Sequence, residues 1–233
     1  MTAHRRSAVF VFAVVCAAPA GAHAQWFAGA YLGAGWNPKK DVAASIPDLR
    51  VTATHMDVAF DPAVVYGARV GYWLPQCPSV GFALDAFGLN GPDEREQLSP
   101  TTECMEGVGC RDAVYQLRKI SYRSTGLGLA VMLRYPLGEL QPYVSAGVAA
   151  VRVRATDTTN FIPAGQSSTD TRTAPTVGAG VAWHVGSGTN LLLEYRYLRV
   201  TPRFSWDNSV GTTVGDVPFT IHAVAGGVTF TFR

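Results

Sequence analysis

Beyond its first two dozen residues the chain lacks any apolar run long enough to cross a membrane as a helix, which takes roughly 20 residues. The hydrophobic residues are instead interrupted at short intervals by glycine, threonine and charge. Any membrane insertion must therefore use β-structure. An excess of charge is lacking too. Of 19 basic residues Arg5 and Arg6 lie near the start, and the rest balance the 17 acidic residues. A neutral body excludes the basic surface that nucleic acid requires. Cysteine is scarce, with 4 in 233 residues, and neither the cysteine spacing nor a neighbouring histidine completes a zinc set. Gly126-Leu-Gly128 and Gly178-Ala-Gly180 lack the strand-loop-helix setting of a phosphate cradle. No cofactor and no metal are expected.

Residues 1–24 have the layout of a cleaved secretory signal: Arg5 and Arg6, an apolar run from Ala8 to Ala18, and Ala22-His23-Ala24 before Gln25. Cys16 follows Val15, which is too large for the residue preceding a lipidated cysteine, so Cys16 reads as part of the discarded segment. Residues 25–233 then form one domain. Export places the remaining cysteines in an oxidising compartment. Cys104 and Cys110 share a polar, glycine-containing segment and are expected to pair, the alternative being two free thiols. Cys77 is left over as a free thiol in a short turn.

Eight alternating runs follow: Gln25–Asn37, Ala63–Trp73, Val80–Asn90, Arg118–Tyr135, Gln141–Arg154, Ala174–Val185, Asn190–Pro202 and Phe219–Arg233. Long polar segments and short turns separate them in strict rotation, giving four long loops and three short turns. In the first run Trp26 and Trp36 share a face. Ten residues at about 3.3 Å and a tilt near 40° project to roughly 25 Å, the height of an outer-membrane apolar band. In the last run Val224, Val228, Phe230 and Phe232 oppose Ala223, Ala225, Gly227, Thr229 and Thr231. A large apolar face backed by a small or hydroxylated one suits a wall between lipid and a narrow interior. The fifth run is nearly equally apolar on both faces, and its orientation is open.

The His222 to Phe232 ending resembles the C-terminal sorting strand of bacterial outer-membrane barrels. With the Leu193-Glu-Tyr-Arg-Tyr197 run and the loop rotation, the chain from Gln25 onward resembles the eight-stranded OmpA/OmpX-type and opacity-protein barrels. The resemblance implies an all-β fold, an eight-stranded antiparallel transmembrane β-barrel with long loops outside and short turns in the periplasm. It implies a place in the bacterial outer membrane, contact with its lipid and lipopolysaccharide, and delivery to the barrel-assembly machinery through the last strand. Trp26, Trp36, Tyr72, Tyr135, Trp183, Phe230 and Phe232 are expected at the membrane edges.

Arg69, Asp85, Arg134, Glu194 and Arg196 fall on the inward face. Eight strands leave an interior that side chains fill, so these charges should pair into a structural plug in preference to a gated ion path. The leading functional expectation is a structural, surface-exposed protein whose loops contact an extracellular ligand, in adhesion or another environmental interaction. A low-conductance channel for ions or small solutes is the alternative. Catalysis would have to use His55, His184 or His222, and the chain is expected not to be an enzyme. An outer-membrane lipid A deacylase has a serine two residues after its histidine, whereas His222 is followed by Ala223 and Val224.

Overall fold

The computed structural model describes residues 25–232 apart from 92, 118, 137, 158–166, 209 and 210. The expected export segment, residues 1–24, lies outside the described residues. The strands in chain order are β1 (Gln25–Trp36), β2 (Lys40–Ile46), β3 (Val51–Val58), β4 (Ala63–Trp73), β5 (Val80–Asn90), β6 (Gln97–Met105) and β7 (Gly109–Leu117). They continue as β8 (Ile120–Arg134), β9 (Leu140–Asp157), β10 (Ser167–Gly186), β11 (Thr189–Val200), β12 (Arg203–Asn208), β13 (Gly211–Asp216) and β14 (Phe219–Phe232).

Eight of these close into an antiparallel barrel in the order β1-β14-β11-β10-β9-β8-β5-β4. The first and last strands make the seam, with Trp26 opposite Phe232 and Trp36 opposite His222. Closure removes the unpaired strand edges that hydrocarbon could not satisfy. The period-two pattern then assigns the faces. Leu32, Leu84, Leu129, Val148 and Leu193 point out and are exposed, as a lipid-facing wall requires. The ambiguity of β9 is resolved: Tyr143, Ala149, Val151 and Val153 are buried inside, and Val144 and Val148 lie outside. Burial chooses the face here because both sides of β9 are apolar.

The inward face mixes aromatics with glycines, and each needs the other. The Tyr31 ring lies across Gly67, and the Phe87 ring lies across Gly126. A narrow barrel admits a ring only where the facing position has no side chain. The lumen toward the long loops is apolar, with Val65, Leu89, Val151, Leu198 and Ile221 in one buried cluster. That cluster continues out of the barrel into Val58, Phe60, Phe204 and Val217.

The long connections are not irregular, contrary to expectation. They form a second sheet, β12-β13-β2-β3-β6-β7, built from the first, second and fourth of them. β9 and β10 extend the third well beyond the expected ends, Trp183 to Ser167 pairing with Leu140 to Thr156. The physical reason is burial. Phe204 is fully buried with Tyr122 and Phe219, at ring-centroid distances of 5.8 Å to Tyr122 and, from Tyr122, 5.0 Å to Phe219. Each such ring contributes roughly 1.5–3 kcal/mol on burial, and that burial is available only once the connections have folded onto the barrel mouth.

Glycines on the inner and outer faces of the wall give a sharp contrast. A Cβ at Gly67 would overlap the Tyr31 hydroxyl and come within 2.6 Å of the Ala86 carbonyl oxygen, whereas one at Gly226 meets only the Leu192 carbonyl oxygen at 3.8 Å. Gly67→Ala should therefore destabilise the barrel by about 1–3 kcal/mol, and Gly226→Ala should stay within about 0.5 kcal/mol of the parent. Urea unfolding in detergent, read from the compact band on unheated gels, measures both. Equal stability of the two variants contradicts the packing described.

Candidate functional site

Two chemically distinct places stand out: the charged layer across mid-lumen and the cap over the mouth. In the layer, Arg69 on β4 lies directly opposite Asp85 on β5. Glu194 and Arg196 alternate on the same inward face of β11, on the far side of the lumen. The intervening β14 contributes Ala223, Ala225 and Gly227, small enough to let the long side chains pass. Arg69 donates to Asp85 Oδ2 at 3.0 and 3.2 Å and to both Glu194 oxygens at 2.7 and 3.0 Å. Arg196 donates to Asp85 Oδ2 at 2.6 Å and also to Glu194. Two positive and two negative charges thus cancel, with Glu194 only 1% exposed and Arg69 8%.

Two tyrosines complete the layer. Tyr31 donates to Asp85 at 2.7 Å, and Tyr143 donates to Glu194 at 2.5 Å. Sequence reasoning missed them, although Tyr31 sits among the glycines of the inward face, where a large polar residue is conspicuous. Arg134, expected in the same network, is elsewhere. It lies near the short turns, donates to the Pro78 carbonyl at 2.8 Å and to Gln25 at 3.1 Å, and stacks over Trp73 at 4.1 Å. Parity correctly turned Arg134 inward, but its height on β8 puts it below the layer.

The layer divides the remaining space. A cavity of about 130 Å³ lies on the turn side, bounded by Phe27, Trp73, Met132, Arg134 and His184. One of about 60 Å³ lies toward the mouth, against Leu89 and Ile221. Trp26, Tyr72, Tyr135, Trp183, Phe230 and Phe232 collect at the turn end of the outer wall, Trp26 facing both Tyr72 and Phe232. Trp36 is at the opposite edge, where it stacks on His222 at 5.9 Å. His222 is further held by the Tyr195 hydroxyl at 2.6 Å, a cluster that parity alone did not reveal.

In the cap, Cys104 and Cys110 are cross-strand partners and form a disulfide across the β6–β7 hairpin. Cys77 is not the free thiol expected: it too is disulfide-bonded. Spacing along the chain does not show which cysteines the fold brings together. At the mouth Glu94 is buried and was not singled out from the sequence. Its carboxylate accepts the Tyr122 hydroxyl at 2.6 Å, and its N–H donates to the Ile120 carbonyl at 2.9 Å. Burial pushes the Glu94 carboxyl up to about 7, a rise that the Tyr122 hydrogen bond only partly offsets. Among the described residues no group of acids, histidines and cysteines is arranged to hold a metal ion.

A closed eight-stranded barrel with an apolar exterior and a filled, charge-compensated lumen defines a small integral membrane barrel. The chain belongs to the outer membrane protein beta-barrel domain family, whose model matches residues 8–232. It is a protein of the bacterial outer membrane. Neisserial surface protein A shares its fold with a TM-score of 0.53 at 13% identity, over 89% of this chain and 97% of that one. The outer membrane protein OprG from Pseudomonas aeruginosa gives 0.54 at 12% identity, over 90% and 96%. No curated protein sequence matches the chain.

Removing one member of the charged layer tests its coupling. Glu194→Ala strips Arg69 of two hydrogen bonds and leaves Tyr143 without its acceptor, so it should cost about 3–5 kcal/mol of barrel stability in urea unfolding. Arg134→Ala, outside the layer, should cost distinctly less. Glu94 predicts a pH dependence of the cap. Because its folded pKa is raised, the folded state holds a proton that the unfolded state has released between the ordinary carboxyl value and about 7. Cap stability should therefore be fully present at the acid end of that window and fall as pH rises through it. Amide exchange of β2, β3 and β6 measures this, and Glu94→Gln should flatten the profile.

Proposed function

We propose that this protein is a non-catalytic display barrel, anchored in the outer membrane and presenting a rigid extracellular sheet to an external partner. The carrying observation is the free edge of that sheet. The β12 edge is occupied: the N–H groups of Arg203 and Ser205 donate to Asp170 and Ser168 of β10. Among the described residues β7 ends the sheet at the other side, with β6 as its sole strand neighbour. A strand edge of this kind accepts an extended segment of another protein by main-chain hydrogen bonding. Leu98, Val108 and Val114, exposed on the same hairpin, supply apolar side-chain contacts.

The rival channel reading is disfavoured by the charged layer, which separates the two small cavities, and by the apolar fill above it. The enzymatic reading is disfavoured by the histidine surroundings. His55 bonds Thr101, His184 bonds Asn190 and His222 bonds Tyr195, none of them a carboxylate.

Replacing residues 98–116 by a short Gly/Ser linker tests the proposal. Cells displaying the full chain should adhere to immobilised extracellular-matrix protein or to one another, and the shortened chain should fall to background while its barrel still shows heat-dependent gel migration. Planar-bilayer recordings of the full chain should show no large, stable steps. Porin-like conductance together with unchanged adhesion would transfer the function to the lumen.

A further inference from the structure

The outer wall over β8, β9 and β10 changes chemistry abruptly along its height. Successive outward rows read Leu129/Val148/Pro175, then Leu127/Ala150/Thr173, then Thr125/Arg152/Thr171, then Arg123/Arg154/Thr169. Two aliphatic rows thus give way to two rows of arginine and threonine. The height of the change is set by the opposite rim. Tyr135, exposed at the turn end, lies ten residues along the strand direction from Thr125. At about 3.3 Å per residue and a tilt near 40° that is roughly 25 Å, the full height of the apolar band. Arg152 therefore stands at the outer boundary of the hydrocarbon, and Arg123 and Arg154 stand one row above it.

All three arginines are exposed, and among the described residues none has an acidic partner. Arg123 and Arg154 are directly opposite one another, an arrangement of like charge that disfavours the pairing of their strands. Arg154 is held by the Ser167 hydroxyl at 3.0 Å, a neutral contact that leaves its charge uncompensated. In the charged layer Arg69 and Arg196 are each matched by carboxylates, whereas this outward group of three has none, and it calls for an anion from outside the chain. An anion at this height, directly above a bare aliphatic wall, is the headgroup of an amphiphile.

We propose that Arg123, Arg152 and Arg154 bind the phosphorylated headgroup of an outer-leaflet glycolipid of the lipopolysaccharide type, with its acyl chains against Leu127, Leu129 and Val148. Guanidinium forks match phosphate oxygens in bidentate geometry, and one phosphate between Arg123 and Arg154 turns a repulsive cross-strand pair into a bridge. The neighbouring hydroxyls of Thr125, Thr169 and Thr171 offer further donors to sugar or phosphate oxygens. The site is independent of whatever the β7 edge engages.

The full chain, purified and placed in nanodiscs of neutral phospholipid, is titrated with lipid A in phosphorylated and dephosphorylated forms. The phosphorylated form should bind, and the triple variant R123Q/R152Q/R154Q should weaken it roughly a hundredfold, at about a factor of five for each arginine. R199Q, an exposed arginine on β11 away from the cluster, should leave binding unchanged. Dephosphorylated lipid A should bind the parent as weakly as phosphorylated lipid A binds the triple variant, an arm that needs no altered protein. Millimolar inorganic phosphate should not displace the lipid. Equal affinity of the triple variant and the parent, with the variant showing the compact unheated band, overturns the proposal. So does equal affinity for the two lipid A forms, or displacement by free phosphate, which would make this an anion site without a lipid.

Discussion

Charge compensation inside a closed sheet is the constraint from which the rest of this structure follows. Eight strands enclose a lumen that side chains must fill, and at mid-height this chain fills it with two arginines and two carboxylates. A lone buried charge there would be prohibitively costly, and four that cancel are tolerable only while every hydrogen bond is made. The arrangement accordingly recruits Tyr31, which takes the Asp85 oxygen that the arginines leave, and Tyr143, which adds a further donor to the Glu194 oxygen that Arg69 also engages. It also dictates what the neighbouring strands carry. Gly67 on β4 is small because the Tyr31 ring occupies the space in front of it, Gly227 on β14 because the β1 backbone at Ala30 and Tyr31 passes close by, and Ala225 and Ala223 lie directly beside Glu194 and Arg196. The outer face of the same strands is free of that requirement and varies only in how it meets lipid.

Above the layer the lumen changes character, and the change explains the cap. Val65, Leu89, Val151, Leu198 and Ile221 form an apolar shaft that would stand open to water if the barrel ended at the membrane. Phe60, Phe204, Val58 and Val217 from the connecting segments complete it. The extracellular sheet is thus an extension of the barrel core, and its strands are held in place from below. Such a sheet can leave its β7 edge and the Cys104–Cys110 hairpin projecting without losing order. Glu94 sits where the two meet, a carboxyl kept near neutral titration by burial with one tyrosine donor.

The sequence alone was enough for the barrel. Alternation along β1 and β14 specified which side chains meet lipid, and the rotation of long and short connections specified eight strands and their up-and-down order. Both are local properties, since a strand's two faces and its length depend on neighbours one and two residues away. Inward parity likewise selected Arg69, Asp85, Glu194 and Arg196, and two cysteines six residues apart in one polar segment suggested their own bridge.

What the sequence could not decide was height and depth. Arg134 shares the inward parity of the layer but sits nearer the turns, because the stagger between β8 and β11 is a property of the closed barrel and not of either strand. The second sheet escaped notice for the same kind of reason: β12 gains its apolar burial where Phe204 meets the distant Tyr122, and β6 buries Ser99 and Thr101 against Met56 and His55 of β3. Cys77 is disulfide-bonded and not the free thiol expected, because a bridge depends on what the fold brings together and not on local spacing. The grouping of Arg123, Arg152 and Arg154 also needed register, since it joins residues some thirty positions apart in the chain. Period-two chemistry is written along the chain, whereas the relative height of strands is set by closure, and only the folded barrel contains that information.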